Sequence, residues 1–311
     1  MRLVIMAFCC VACSGVCGFV QSDDVGSAET VQVQLRQSAC QCRKCFIAES
    51  PNFRVHCCST AERITELVVS CEQQRTHCQQ VWVGEPCPTW HSKCELVVHR
   101  DVRSYSSELG RGSERTSGCS TIQLDRGRVV RRRIDLRADA IDCYSDSLPH
   151  ELTHVVLADQ FPESRIPPWA DEGIAMLPES PEKLQRRLTV LHGVIATKRT
   201  ISLQHLMTMT QSPVPESRDA FYGQSATLTG LLLERGTPQK MLGFVKAGQR
   251  DGYDKALRDV YSIESWSSLE EEWRSYAASP CLRGLAHPAV PPINSIVTTS
   301  TLASRPADLL D

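Results

Sequence analysis

No excess of charge of either sign runs through this sequence: 34 Lys and Arg stand against 36 Asp and Glu, a formal balance of −2 over 311 residues. Such a chain lacks the sequence-wide attraction that holds a protein on nucleic acid or anionic lipid, so no nucleic-acid partner is expected. Repeated long apolar runs are missing too. With 23% charged and 41% hydrophobic residues, the composition argues against both a multi-span membrane protein and wholesale disorder. No internal repeat is visible. What remains is enough chain for one large domain or two ordinary ones, with a sizeable core.

Cysteine, in contrast, is abundant, with sixteen in the chain. A cytosolic protein carries so many chiefly to bind metal clusters, whereas an exported one uses them as cross-links. The N-terminus points to export. Arg2 precedes an apolar run from Leu3 to Val20, polar Gln21-Ser22-Asp23-Asp24 follow, and small residues (Ser14, Gly15, Gly18) offer cleavage sites. Residues 1–20 are therefore expected to be a signal peptide that leaves a secreted, periplasmic or cell-envelope protein with no stable membrane span. The competing reading is a single membrane anchor, since such a run can just cross a bilayer. Lipoprotein attachment through Cys13 or Cys17 is the weaker option, because neither follows a leucine-type lipobox.

Cleavage would remove Cys9, Cys10, Cys13 and Cys17 and leave twelve, nine of them between Cys40 and Cys94. An even number in an oxidising compartment predicts disulfides, although spacing does not give their pairing. Cys40-x-Cys42-x-x-Cys45 also has the spacing of a metal knuckle, but after a signal peptide a stapled loop is the expectation.

Along the chain, residues 21–51 read as a polar, cysteine-containing segment, loose over 21–39. Residues 52–160 form an α/β part. Phe53–Cys57 reads as a strand, and Ile64, Leu67, Val68 and Cys71 recur at helical spacing after the N-cap candidate Thr60. Leu96–Val102 reads as a further strand, and 106–120 as a loop or ragged edge strand. Over Val129–Leu136 the alternation puts Val130, Ile134 and Leu136 on one face, interrupted by Arg132, with Val129, Arg131, Arg133 and Asp135 on a solvated face. The arginines suggest a polyanion site, but an exposed strand face explains them more simply.

From residue 146 onward helices dominate, and 161–282 is expected to be a helical subdomain. Asp146 or Ser147 can cap a helix that has Pro149 in its first turn and ends near Asp159. Further helices are expected at 169–177, from Ser180-Pro181 to about Lys198, after Ser202, at 218–235, from Thr237-Pro238 to Gly248, and at 253–261 and 266–278. The Pro-, Ser- and Thr-rich tail, 283–311, is expected to be disordered.

Chemistry concentrates in two of these helices. In Leu148-Pro-His-Glu-Leu-Thr-His-Val-Val-Leu157, His150 and His154 lie one turn apart on one helical face and can grip one ion. Glu151 then projects beside the ion, where it can hold and deprotonate an activated water as general base. A chance H-E-x-x-H is expected only about 0.02 times in a chain of this composition. A catalytic zinc site needs a third ligand and an open position. Pro167-Pro-Trp-Ala-Asp-Glu-Gly-Ile-Ala175 supplies Glu172, eighteen positions after His154, which leaves room for a loop and a returning helix. Asp171 is the competing ligand, but on that helix it points about 100° away. Zn²⁺ is the expected cofactor.

These residues resemble the gluzincin zinc metallopeptidases, with a thermolysin-like or aminopeptidase-like core, and their peptidase-MA-like branch in particular. The resemblance rests on His150-Glu-Leu-Thr-His154, on Trp169-Ala-Asp-Glu172-Gly-Ile-Ala, and on Tyr222-Gly-Gln-Ser225 followed by Leu231-Leu-Leu-Glu-Arg-Gly236. It covers roughly 145–275, and more loosely the mixed part from residue 50. It implies an α+β, zincin-like metallopeptidase fold: a small mixed sheet on the metal-binding helix, an edge strand along the cleft, and a mostly helical C-terminal lobe. It further implies a peptide or protein substrate and an oxyanion-stabilising side chain, for which Tyr222 is the candidate, His205 a second, and His192 a packing or surface residue. The chain is shorter than the better-known peptidases, shows no anchor for a free amino terminus, and has a cysteine-dense region without a counterpart.

The leading expectation is an exported zinc peptidase. An inactive zincin-fold binding or scaffold protein of the cell envelope is the alternative, against which the intact Glu151 argues. A disulfide-rich interaction protein with an accidental motif is disfavoured by Glu172.

Overall fold

The structure, a computed structural model, describes residues 31–38, 45–85, 88–211 and 213–279. The expected leader, Cys13, Cys17, Cys40, Cys42 and the tail lie outside the described residues.

Six strands form one mixed sheet in the order β1-β2-β3-β4-β6-β5. They are β1 (Gln34–Gln37), β2 (Cys45–Glu49), β3 (Phe53–Cys58), β4 (Cys94–His99), β5 (Gly118–Asp125) and β6 (Arg128–Arg137). The pairs β3–β4 and β4–β6 are parallel, and the others antiparallel. Between β3 and β4 the chain crosses over through α1 (Ala61–Trp82), whose first turn is capped by Thr60 accepting from Arg63 N–H. Ile64, Val68 and Cys71 of α1 are fully buried in one core with Val55, Leu96 and Ile134 from the sheet. Glu72 of α1 accepts from Ser50 and from both nitrogens of Asn52, and so holds the β2–β3 turn on the helix.

The opposite face of β4 and β6 is covered by α2 (Val102–Leu109), capped by Asp101 in a reciprocal box with Ser104. The strand expected to reach Val102 therefore stops at His99. Ser, Gly and Arg between 106 and 120 belong to the end of α2, a short 3-10 turn and the start of β5. Asp135, expected on a solvated face, is fully buried under α2, where it meets His99 Nε2 at 2.7 Å and the Arg133 guanidinium.

β5 and β6 are joined by Arg126-Gly127, both at positive φ, a two-residue turn that matches the strand twist. A register shift between Gln123 and Leu124 leaves Val130 unpaired and reverses the alternation, so Val129 is buried and Val130 is 47% exposed. That reverses the faces expected for these two valines. Arg132 points into the core, on the same face as Ile134 and Leu136, as its place in the alternation implied. Its guanidinium stacks 4.5 Å from the Trp90 ring, donates to the Ser92 carbonyl and pairs with Asp159. A polyanion site is thus not what this arginine forms.

Cys45 and Cys58 are cross-strand register partners on β2 and β3 and are joined by a disulfide, so Cys45 forms a staple. Cys57, Cys71, Cys94, Cys119 and Cys143 stand as thiols, where disulfides were expected. Burial drives up the thiols of Cys57 and Cys119, to about 11 each, which keeps them protonated at neutral pH.

The helical part comprises α3 (Leu148–Leu157), α4 (Pro168–Ala175), α5 (Pro181–Ala196), α6 (Leu203–Thr208), α7 (Arg218–Glu234), α8 (Pro238–Asp251), α9 (Tyr253–Tyr261) and α10 (Trp266–Ala277). Ser202 and Thr237 cap α6 and α8 as expected, but α8 continues past Gly248 to Asp251, with Gly252 as its C-cap. Among the described residues no helix is long and apolar enough to cross a membrane. Trp169 is fully buried against Phe244 and Tyr253 and donates its indole N–H to the Tyr253 hydroxyl.

α4 lies unusually close to α7 at Gly173. A Cβ there would stand 2.6 Å from the Ser225 carbonyl oxygen and collide with the Thr229 hydroxyl. Gly173→Ala would gain about 1 kcal/mol of helix propensity. Backbone on the facing helix cannot yield cheaply, so overpacking of about 1–3 kcal/mol outweighs that gain. The variant is expected to unfold at lower denaturant than wild type in a circular-dichroism titration, and an unchanged midpoint would refute the close packing.

Candidate metal centre

The chain enters α3 through a single π turn, Cys143–Ser147, and Ser147 stands at the N-cap as expected but makes no side-chain capping bond. Asp146 instead accepts from the Ser180 N–H and ties the start of α3 to the start of α5. Leu148, Leu152, Val155 and Val156 bury the apolar face of α3, and the other face presents both histidines. Beyond Leu157 a 3-10 turn carries Asp159, whose pairing with Arg132 pins the end of α3 to the sheet.

His150 Nε2 and His154 Nε2 lie 3.2 Å apart, and His150 Nε2 lies 3.5 Å from Glu172 Oε2. Ligand atoms of all three fall within 4.8 Å of one another. Donors at about 2.0–2.1 Å from a tetrahedral zinc stand about 3.3–3.4 Å apart, so the first two separations match one ion.

The other imidazole nitrogens each face a carboxylate, His154 through a hydrogen bond and His150 at ion-pair distance. His154 Nδ1 meets Asp171 Oδ1 at 2.8 Å, and His150 Nδ1 lies 3.0 Å from Glu179 Oε1. Asp171 and Glu172 are neighbours on α4, and the turn between them sends one to the back of His154 and the other to the front. Glu179 is buried in the turn before α5. Arg187 grips it through two contacts of 2.9 Å, and Lys183 lies 3.4 Å away. Such backing carboxylates orient the rings and leave Nε2 as the ligating atom.

The charges are mutually compensated. Burial would depress His150, yet Glu172, Glu179 and Glu151 outweigh it and push its pKa up to about 10. His154 rises against the same penalty to about 9, chiefly through Asp171. Burial opposes ionisation of Glu172 as well, but the two histidines hold it below the usual carboxylate range. Glu179, despite its burial, is held at about 2 by His150 and Arg187.

Glu151 is buried beside β5. A Cβ at Gly118 would lie 2.8 Å from its Cγ and 3.1 Å from Oε1, so the strand needs glycine where the acid packs. Tyr222, at the start of α7, is half-buried under the Arg187 guanidinium. Burial first, and then the Glu172 charge, raise its phenol to about 12, which keeps it a hydrogen-bond donor at neutral pH. His205 is exposed on α6, and its backbone N–H donates to the Ser202 cap. His192 is exposed on α5, with Nε2 3.0 Å from the Ala277 carbonyl.

Sequence spacing did not single out Glu179, Arg187 or Gly118. Asp171 was legible as a charged neighbour of Glu172, and its 100° offset is what brings it to His154.

A cleft of 1110 Å³ opens beside the trio. β5, the end of α3, the loop before α4, the end of α6 and the start of α9 line it, and His154, Asp171 and Glu172 border it.

Ligation requires neutral imidazoles, whereas both pKa values in the metal-free chain are raised above neutrality. Metal affinity should therefore increase with pH up to about 10, with up to two protons released per ion at pH 7. Calorimetric titration with zinc in buffers of different ionisation enthalpy measures this, and binding with no proton release would contradict the arrangement.

A search of curated proteins finds no match to this chain. Residues 131–279 match the family described as the Peptidase MA superfamily. The match opens in β6 and closes after α10, and it contains α3, α4, Glu179, Arg187 and Tyr222. By that match and this geometry, the part of the chain that carries the site is similar to the Peptidase MA superfamily.

Proposed function

We propose that this chain is an exported, zinc-dependent peptidase of zincin-like fold, with His150, His154 and Glu172 as metal ligands and Glu151 as general base. The observation that carries the reading is the spacing of the three ligand atoms, with each imidazole backed by its own carboxylate. The donor set of two imidazoles and a carboxylate suits zinc and leaves a coordination position open. When bound, zinc lowers the pKa of a ligated water toward 7 and polarises the scissile carbonyl.

The remaining work falls to the chain. Glu151, one residue from a ligand and walled by Gly118, takes the proton of the attacking water and can pass it to the leaving amine. Tyr222 supplies a protonated phenol next to Glu172, suited to the oxyanion that develops on the carbonyl. Among the described residues β5 pairs on one side only, with β6, so that edge can hold an extended peptide through backbone hydrogen bonds. Export is supported by the leader-like residues 1–20 and by the Cys45–Cys58 disulfide, which suits an oxidising compartment.

Glu151→Gln keeps the shape of the side chain and removes its basicity. The expected result is zinc content equal to wild type, with chelator-sensitive hydrolysis of a mixed peptide library reduced by about 10²–10⁴-fold. Equal hydrolysis by the two proteins would remove Glu151 from the mechanism. Peptide binding without hydrolysis by wild type would favour the inactive binding-protein alternative.

A further inference from the structure

The cleft is built asymmetrically about the metal centre. Gly118 of β5 packs on Glu151, and Ser120, Ile122 and Leu124 follow on the same strand face. On α3 the matching sequence is Glu151, His154 and Ala158, with Phe161 just beyond. Strand and helix thus run in the same direction, and the cleft extends from His154 toward Leu124, away from Glu151. Neither His150, Glu151 nor Tyr222 lines it.

Its deepest lining is apolar, with Phe161, Ile166, Met207 and Tyr253 each at most 8% exposed and Ile122 and Leu124 on the strand side, while neutral Thr208, Thr210 and Gln211 line its mouth. Two carboxylates border it, and both are committed, Asp171 to His154 and Glu172 to the ligand trio. The other charged residue of the lining, Arg165, is a cation. At 1110 Å³ the space exceeds the roughly 300–1,000 Å³ of a small-ligand pocket, so it suits a stretch of extended chain.

We infer, resting on the peptidase reading above, that the cleft selects substrates with a bulky apolar residue on the amino-terminal side of the scissile bond and disfavours a basic residue there. The side follows from strand direction. A peptide adding antiparallel to β5, the more stable pairing, lays its amino-terminal part along Ile122–Leu124 when its scissile bond lies at the metal ligands. A lysine placed there would exchange water for a mainly apolar floor and meet no uncommitted carboxylate among the described residues.

The test uses full-length protein in two forms. Zinc-loaded Glu151→Gln reports binding of fluorescent peptides that carry Leu, Phe, Lys or Asp at each position in turn. Wild type reports which bonds of a mixed peptide library are cut. The inference expects one position where Lys weakens binding by about tenfold or more relative to Leu or Phe. It expects apolar residues to be enriched at the new carboxyl ends of the products. Met209→Glu places a carboxylate on the cleft wall and should raise the affinity for the Lys peptide by about tenfold, with zinc content and circular dichroism unchanged. Absence of any apolar preference, its appearance at the new amino ends, or a preference unmoved by Met209→Glu would overturn the inference and leave the peptidase reading standing. Apolar peptides bound but never cut by wild type would overturn the peptidase reading, and with it the assignment of side.

Discussion

Two imidazole rings must present their lone pairs to one point from inside a largely dehydrated pocket, and the contacts of His150 with Glu179 and of His154 with Asp171 make that possible. Without a carboxylate behind each ring, burial would favour neutral histidines free to rotate or to exchange tautomers. With both in place, each ring is held at Nδ1 and turned so that Nε2 faces Glu172. Glu179 stays ionised at its depth through His150 and Arg187, so the network behind the candidate ligands extends through α5. Arg187 also covers the ring of Tyr222 and ties the oxyanion candidate to the same network.

The fold supplies the stiffness this network needs. α3 lies between a sheet whose core face is almost wholly apolar and the helices that follow it. Its two ends are fixed by ionic or polar ties, Asp146 to Ser180 and Asp159 to Arg132. Gly173 lets α4 approach α7 closely, which sets the position of Asp171 and Glu172. Gly118 does the corresponding task on the sheet side, where any larger residue would occupy the space of Glu151.

Much of this was legible in the chain. Caps at Thr60, Ser202 and Thr237 mark helix starts because each hydroxyl accepts from the N–H three residues on. The H-E-x-x-H spacing places both imidazoles on one face because helical geometry is local. What escaped was non-local. Val130 turned outward because a bulge against β5 reversed the alternation, and no periodicity within β6 reveals that. β1 and β2 lie in a stretch read as polar, and pairing to β3, not composition, makes them strands. The start of β5 was ambiguous among Ser, Gly and Arg because a strand that packs on Glu151 needs glycine at position 118. Glu179 is 29 positions from His150, and only the return of the chain through α4 brings them together.

The cysteines bear on the central claim from the other side, because a chain with so many thiols offers zinc a competing set of soft ligands. X-ray absorption of the zinc-loaded protein separates the two directly. The account predicts a first shell of nitrogen and oxygen at about 2.0–2.2 Å with imidazole outer-shell scattering, whereas sulfur at about 2.3 Å would contradict it.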